Sequence, residues 1–198
     1  MAKIEESSLR SLHPTQLTVG MIVVKDKKAH LAALSPKDQI QFMQQHAMPA
    51  VKGPGGRLYV TDHHHLGRAA LDAGLDTAFF EIEGDFSDCS PADFWKAMEK
   101  NHWVHPLDEN GVRHYCTRIP DQLGGLVDDV YRSIAGYVRD SGGYDKVPEA
   151  FAEFVWADFF RRTLPIELVR ENFHEAVAQA IPLAKSRYAK SMPGFRGK

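Results

Sequence analysis

The chain has 198 residues, 43% of them hydrophobic and 25% charged, so a packed core is within reach and global disorder is excluded. A formal net charge of −2 excludes a whole-protein electrostatic grip on nucleic acid but leaves room for a local basic patch. Two cysteines, Cys89 and Cys116, make no CxxC pair and exclude a disulfide framework, which points to a reducing, cytoplasmic-type compartment.

In chain order, Met1-Ala-Lys-Ile-Glu-Glu lacks the apolar run of a signal peptide, although a leader already removed would leave no trace. No stretch approaches the roughly 18 apolar residues of a membrane span, so no membrane partner is expected. The run Met21-Ile22-Val23-Val24 is β-branched and strand-like. Ser35-Pro36-Lys37-Asp38 has the form of a helix start, and that helix runs to about His46. Ala50-Val51 opens another extended piece. Lys52 to Arg57 is rich in glycine and reads as a hairpin connection, because it lacks the Gly-Lys-Ser/Thr ending of a P-loop. Leu58 to Thr61 is strand-like, Leu66 to Ala73 helical and closed by Gly74, and Thr77 to Glu83 a strand. Ser90-Pro91-Ala92-Asp93 repeats the helix-start pattern and opens a helix to about Asn101.

The second half is mostly helical. Pro106 to Pro120 reads as a long loop. Leu123, Leu126, Val127, Val130, Ile134 and Val138 form one apolar stripe at helical spacing, ended by Gly142-Gly143. Phe151, Phe154, Val155, Phe159 and Phe160 form a second. Ile166, Val169, Phe173, Val177 and Ile181 form a third, which Pro182 kinks or stops. The expected class is α+β: a small mixed sheet with helices over residues 10–105, then a helical extension over 106–198. After Glu175 the charges are all basic, Lys185, Arg187, Lys190, Arg196 and Lys198. They form either a solvated tail or a nucleic-acid contact.

The segment Val60 to Ala70 carries the most chemistry. A strand, a sharp turn and a helix start place unpaired backbone N–H groups and a partial positive charge at one point, a natural anion site. Asp62 can cap this helix. His64 and Arg68 are four apart, share a helix face, and can both donate to a phosphate oxygen. A histidine there can also move protons near neutral pH. As a polar residue on a turn, His64 is expected to contribute little packing. The three consecutive histidines cannot all converge on one metal, since neighbours fan out by about 100° in a helix and alternate faces in a strand. His63 with His65 could share an ion only with a third ligand from elsewhere. No dedicated metal site is therefore expected.

The order of these segments resembles the ParB/sulfiredoxin superfamily. Met48-Pro49-Ala50-Val51 stands for its Pro-Ile-Val strand, Leu58 through Leu71 for its phosphate motif, and Leu75 to Ile82 for its closing strand. Asp62-His63-His64-His65 is similar to the Asp-Gly-His-His-Arg motif of the ParB-like free-serine kinases, with His63 in place of the glycine and Leu66 in place of the arginine. The resemblance implies Asp62, His64 and His65 as catalytic candidates. His63, Gly67, Arg68 and Lys25 are then the phosphate-binding candidates, Arg68 supplying the lost charge. His13-Pro14-Thr15-Gln16 resembles a segment in which those kinases carry an acid where Gln16 stands. Lys100 to Leu107 resembles the Glu-Asn-x-x-Arg segment of ParB nucleotide-binding domains, with Lys100 and Val104 replacing the acid and the arginine. Gln16, Asn101 and His102 are thus nucleotide-binding candidates. The bland reading of Asn101 to His105 is a helix end with a packed tryptophan.

The whole pattern most resembles the ParB-like nuclease branch. It implies phosphoryl chemistry, either phosphodiester hydrolysis or transfer to a small molecule. The partner would be a nucleotide or phosphorylated small molecule, with Mg²⁺ accompanying the nucleotide, or a nucleic acid. Two other classes stay open: a nucleotide- or DNA-binding relative without turnover, and a scaffold that keeps only the fold.

Overall fold

The computed structural model describes residues 4–197; Met1, Ala2 and Lys3 of the N-terminal segment and Lys198 of the basic tail lie outside them. The elements run β1 (Ile4–Ser8), β2 (Thr18–Val19), α1 (Met21–Ala33), α2 (Pro36–Gln45), β3 (Met48–Lys52), β4 (Leu58–Val60), α3 (His64–Asp72), β5 (Thr77–Asp85), α4 (Pro91–Lys100), β6 (Val127–Asp128), α5 (Val130–Asp140), α6 (Ala152–Thr163), α7 (Ile166–Glu171) and α8 (Phe173–Ala184). The class is α+β with a small mixed sheet, as expected. No described helix is long and apolar enough to cross a membrane.

The four-stranded sheet has the order β1-β5-β3-β4. β3 and β4 are an antiparallel hairpin, with Lys52 opposite Leu58. Its connection turns on Gly55 and Gly56, at φ 71° and 75°, which suit glycine. β3 and β5 are parallel, Met48 opposite Phe80, so a crossover must join them, and α3 supplies it. β1 adds antiparallel to β5 at the edge.

Helix ends follow the side chains. Ser35 accepts the Asp38 N–H at 3.3 Å, and its hydroxyl donates to the Asp38 carboxylate at 2.6 Å. Ser90 and Asp93 repeat the arrangement at 3.2 and 2.7 Å. Each is a variant of the capping box in which the shorter acid reaches the serine hydroxyl instead of its backbone N–H. Gly74, at φ 84°, closes α3 in a Schellman turn, its N–H bonded to Leu71 O and that of Leu75 to Ala70 O.

Three local expectations are corrected. Met21 to Val24 opens α1 instead of forming a strand, because Lys25 to Ala33 carries good helix formers and the first amides are capped from elsewhere. The Met21 N–H donates to Asp128 Oδ1 at 2.8 Å and that of Ile22 to Ser133 Oγ at 3.2 Å. The first helical stripe starts only at Val130, where Asp129 accepts the Tyr131 N–H at 3.0 Å. Leu123 lies instead in a short 3-10 turn with Gly124 and Gly125, and Leu126 follows it. The third stripe breaks at Asn172 into α7 and α8, while Pro182 sits inside the last turn of α8.

The chain forms two compact units, one of residues through Val19 with Val23–Val127, the other of Gly20–Ile22 with residues from Asp128 on. This division falls later than the 105/106 boundary read from the sequence. In the first unit, Phe94 and Met98 of α4 pack with Val51 and Val104, flanked by Tyr59, Phe86 and Trp103. In the second, Trp156 is fully buried, stacks on Tyr144 at 4.2 Å, and donates its indole N–H to Pro193 O at 2.7 Å. Buried Asp129 pairs there with Arg161 at 2.6 Å; desolvation still raises its pKa, with Arg161 and Arg132 opposing the rise.

Candidate functional site

β4 ends at Val60 and α3 begins at His64, so the chain must reverse within three residues. His63 makes that possible by taking the left-handed region, φ 63° and ψ 24°, as the N-cap of α3. A non-glycine side chain there is strained. It is the position at which the resembling motif carries glycine, which explains the motif's preference in backbone terms. Asp62 does not cap α3. Its Oδ1 accepts the His63 N–H at 2.6 Å and steadies the turn itself, while the residue stays exposed. Thr61 is held on both sides, its N–H bonded to Pro49 O at 2.9 Å and its hydroxyl to Glu83 at 2.8 Å.

The three imidazoles occupy different environments. His64 is buried, with 4% of its surface exposed. Its Nε2 accepts the backbone N–H of Thr15 at 3.0 Å, which places the ring proton on Nδ1 in the neutral form. The expectation of a surface histidine with little packing is therefore corrected for this residue. His65 is half-buried. His63 is half-buried too, and its Nδ1 is shut off from solvent with no hydrogen-bond partner among the described residues.

Thr15 is the residue that the sequence did not single out. Besides binding His64, its hydroxyl donates to Val60 O at 2.8 Å, and its carbonyl accepts the His105 N–H at 2.9 Å. His13 runs beside Tyr59 and Gln16 beside His105 as parallel bridges. The extended segment 13–16 thus joins the turn at 62–65 to the segment ending at His105. It brings Gln16, buried at 6% exposure, to the same strip of backbone as His64. The His13-Pro14-Thr15-Gln16 pattern was the available signal, but no periodicity could reveal a partner 49 residues away.

The other candidates are placed as follows. Arg68 is turned to structural partners: its Nε binds both carboxylate oxygens of Asp72 at 3.0 Å, and Nη1 donates to Leu126 O at 3.0 Å and Leu123 O at 3.4 Å. Gly67 is buried, and a Cβ there would lie 3.0 Å from Leu123 and 3.1 Å from Met48, so its side is packed against the core. Its N–H already bonds His63 O at 2.9 Å. Asn101 and His102 end α4. The Asn101 amide donates to Ala97 O at 2.8 Å, and His102, exposed at φ 56°, is the left-handed residue of a Schellman turn closed by Trp103 N–H on Met98 O. Lys25 is exposed on α1.

Among the described residues no group of three or more His, Cys, Asp or Glu side chains has metal-binding geometry. A nucleotide-borne Mg²⁺ needs only one or two protein carboxylates besides phosphates and water, and Asp62 is the exposed carboxylate of the turn.

No curated protein matches the chain in sequence. Among solved structures, the crystal structure of protein Atu1540 from Agrobacterium tumefaciens is similar over its whole length. The TM-score is 0.92 at 35% identity, covering 99% of this chain and 99% of that one. A family model described as "Putative ParB-like nuclease" matches residues 5–162, a span that includes the candidate segments 13–16, 62–65 and 101–105, and the chain belongs to that family.

Proposed function

We propose that the turn Asp62 to Leu66 binds a phosphate group of a nucleotide or phosphodiester and carries out phosphoryl chemistry, by hydrolysis or by transfer to a small molecule. The observation that supports this best is His63. A strained, left-handed residue holds an imidazole whose Nδ1 is buried without a partner among the described residues, beside the N-terminus of α3. A buried ring nitrogen left unsatisfied costs free energy, and a turn of the ring that brings it to a phosphate oxygen would satisfy it. The first-turn amides and the helix dipole supply the charge complement. Asp62 and His65 handle the proton at the mouth of the turn. His64, tied by Nε2 to Thr15, holds the segment 13–16 in place as a positioning residue and does not contact the phosphate through that nitrogen. Arg68 supports the turn from behind by fixing residues 123–126 to α3. Gln16, Asn101 and His102 are the candidates for the nucleotide beyond its phosphates, and Lys25 for an outlying phosphate contact.

The test uses His63→Gly, which removes the imidazole and relieves the backbone. Strain release and the extra chain entropy of glycine roughly offset, so the variant should melt within about 1 kcal/mol of wild type. ATP with Mg²⁺, or a short oligonucleotide, should raise the melting temperature of wild type and not of His63→Gly or Asp62→Asn. Phosphate release or strand cleavage should fall with it, by about 10²–10⁴-fold if Asp62 transfers the proton. Binding without turnover in wild type would make the protein a binding module. An undiminished ligand response in both variants would refute the site.

A further inference from the structure

A second cleft, of about 340 Å³, opens in the first unit, and none of its lining residues comes from the turn at 62–66. It is lined by Ser7, Arg10 and His13, by the glycines and Arg57 of the β3–β4 connection, and by Asp121 and Gln122. Its size matches a small-molecule site. Its charge is unbalanced, with two guanidiniums and a titratable imidazole against one carboxylate. Arg57 is exposed and makes no ion pair among the described residues. Arg10 has only a loose contact with Asp76, 3.9 Å apart with both side chains mostly in solvent, which holds it weakly.

His13 is built in more firmly than its neighbours. Its N–H donates to Leu58 O and its carbonyl accepts the Val60 N–H, both at 2.9 Å. Its ring stacks on Tyr59 at 4.9 Å, which leaves the remaining edge to the cleft. Burial and the nearby Arg57 both lower its pKa from 6.5, while Asp121 raises it. After burial, the next part of that lowering comes from the positive charge of Arg57, which an anion would neutralise.

We propose that this cleft is a separate anion site for a small phosphate- or carboxylate-bearing molecule, its oxygens held by Arg10 and Arg57 and hydrogen-bonded by His13, which takes up a proton as the ligand binds. Guanidinium forks suit such planar or tetrahedral oxyanions, and two of them facing one cleft give more than a point charge. A Cβ added at Gly55 or Gly56 would meet no heavy atom within 4 Å, so the approach over these two glycines at the rim is open. Proton uptake follows from linkage: an anion beside the imidazole favours its charged form, typically by about one pH unit or more. The cleft shares the segment 13–16 with the turn at Asp62 but takes no lining residue from 62–66, and its anion binding does not rest on the phosphate reading of that turn.

The measurement is a histidine-ring NMR titration of the full chain at fixed ionic strength, in inorganic phosphate, in succinate and in chloride. The His13 midpoint should move up by about one pH unit in phosphate or succinate relative to chloride. The oxyanion that moves it at the lower concentration identifies the class. Arg10→Gln with Arg57→Gln, two exposed changes that should leave the far-UV spectrum intact, should abolish the shift. His63→Gly should leave it unchanged, which separates this cleft from the turn. Equal midpoints in all three salts, or a shift that survives the double substitution, would overturn the proposal. So would a response confined to the rings of His63 and His65, and that result would leave the turn's phosphate reading standing.

Discussion

Of three adjacent imidazoles, His64 alone is packed like a core side chain, 4% exposed with its Nε2 bonded to a backbone amide. Removing it should strand the Thr15 N–H and open a cavity, so His64→Ala is expected to cost about 1–3 kcal/mol or more in urea melts. His64→Gln, whose amide oxygen can accept the same N–H, should recover part of the loss. Equal, negligible losses would mean that the Thr15 bond contributes nothing. Three histidines in a row between a strand and a helix draw attention to this turn in the sequence. Which ring turns inward is not legible there, because that depends on Thr15 and on the left-handed backbone at His63. His13 carries a pH signature of its own. Its folded pKa lies below the ordinary 6.5, so the unfolded chain binds more protons and stability falls as pH drops through 6.5 toward the folded value. The loss should level off below the folded value and should be absent from His13→Gln. A stability that rises on acidification through this window, and does so less in His13→Gln, would contradict the direction.

Elements are legible where side chains both cap and pattern them. Ser35-Pro36 and Ser90-Pro91 start α2 and α4, and Gly74 ends α3. β1 escapes a reading of the sequence because Ile4-Glu5-Glu6-Ser7-Ser8 has no apolar alternation; its pairing with β5 is backbone-driven at an edge. α1 looks like a strand because four β-branched or apolar residues at its start outweigh the helix formers that follow, and its capping groups, Asp128 and Ser133, lie more than a hundred residues on. Arg68 shows the same long reach between α3 and the Leu123–Leu126 segment. Sequence spacing aims it at a phosphate, whereas its fork is divided among Asp72 and two carbonyls. A lysine can reach one of these partners but not span all of them. Arg68→Lys should therefore cost about 1.5–3 kcal/mol, nearly as much as Arg68→Ala, in a denaturant melt. Full stability in Arg68→Lys would show that only the charge matters.

At the scale of the whole chain, sequence order and compactness part company at one place. Gly20 to Ile22 lie among the first elements in sequence but belong to the compact unit that begins again at Asp128. The change from strand-like runs to helical stripes, the cue for a boundary near 105, cannot detect three residues contributed from so far upstream. Gly20 is what allows the contribution. A Cβ there would stand 2.6 Å from both the backbone nitrogen and the Oγ of Ser133, and a backbone atom cannot swing aside as a side chain can. Gly20→Ala should therefore strain the start of α5, by about 1–3 kcal/mol if it behaves as other overpacked sites do. The three tryptophans make this measurable unit by unit. Trp95 and Trp103 lie in the first unit and Trp156, fully buried, in the second. In a Trp95→Phe, Trp103→Phe background, fluorescence reports the second unit alone. There Gly20→Ala should lower the melting temperature by about 4–8 °C for each kcal/mol lost, the shift of a unit of that size. An unshifted Trp156 transition would mean that Gly20 does not pack against Ser133 as closely as its geometry requires.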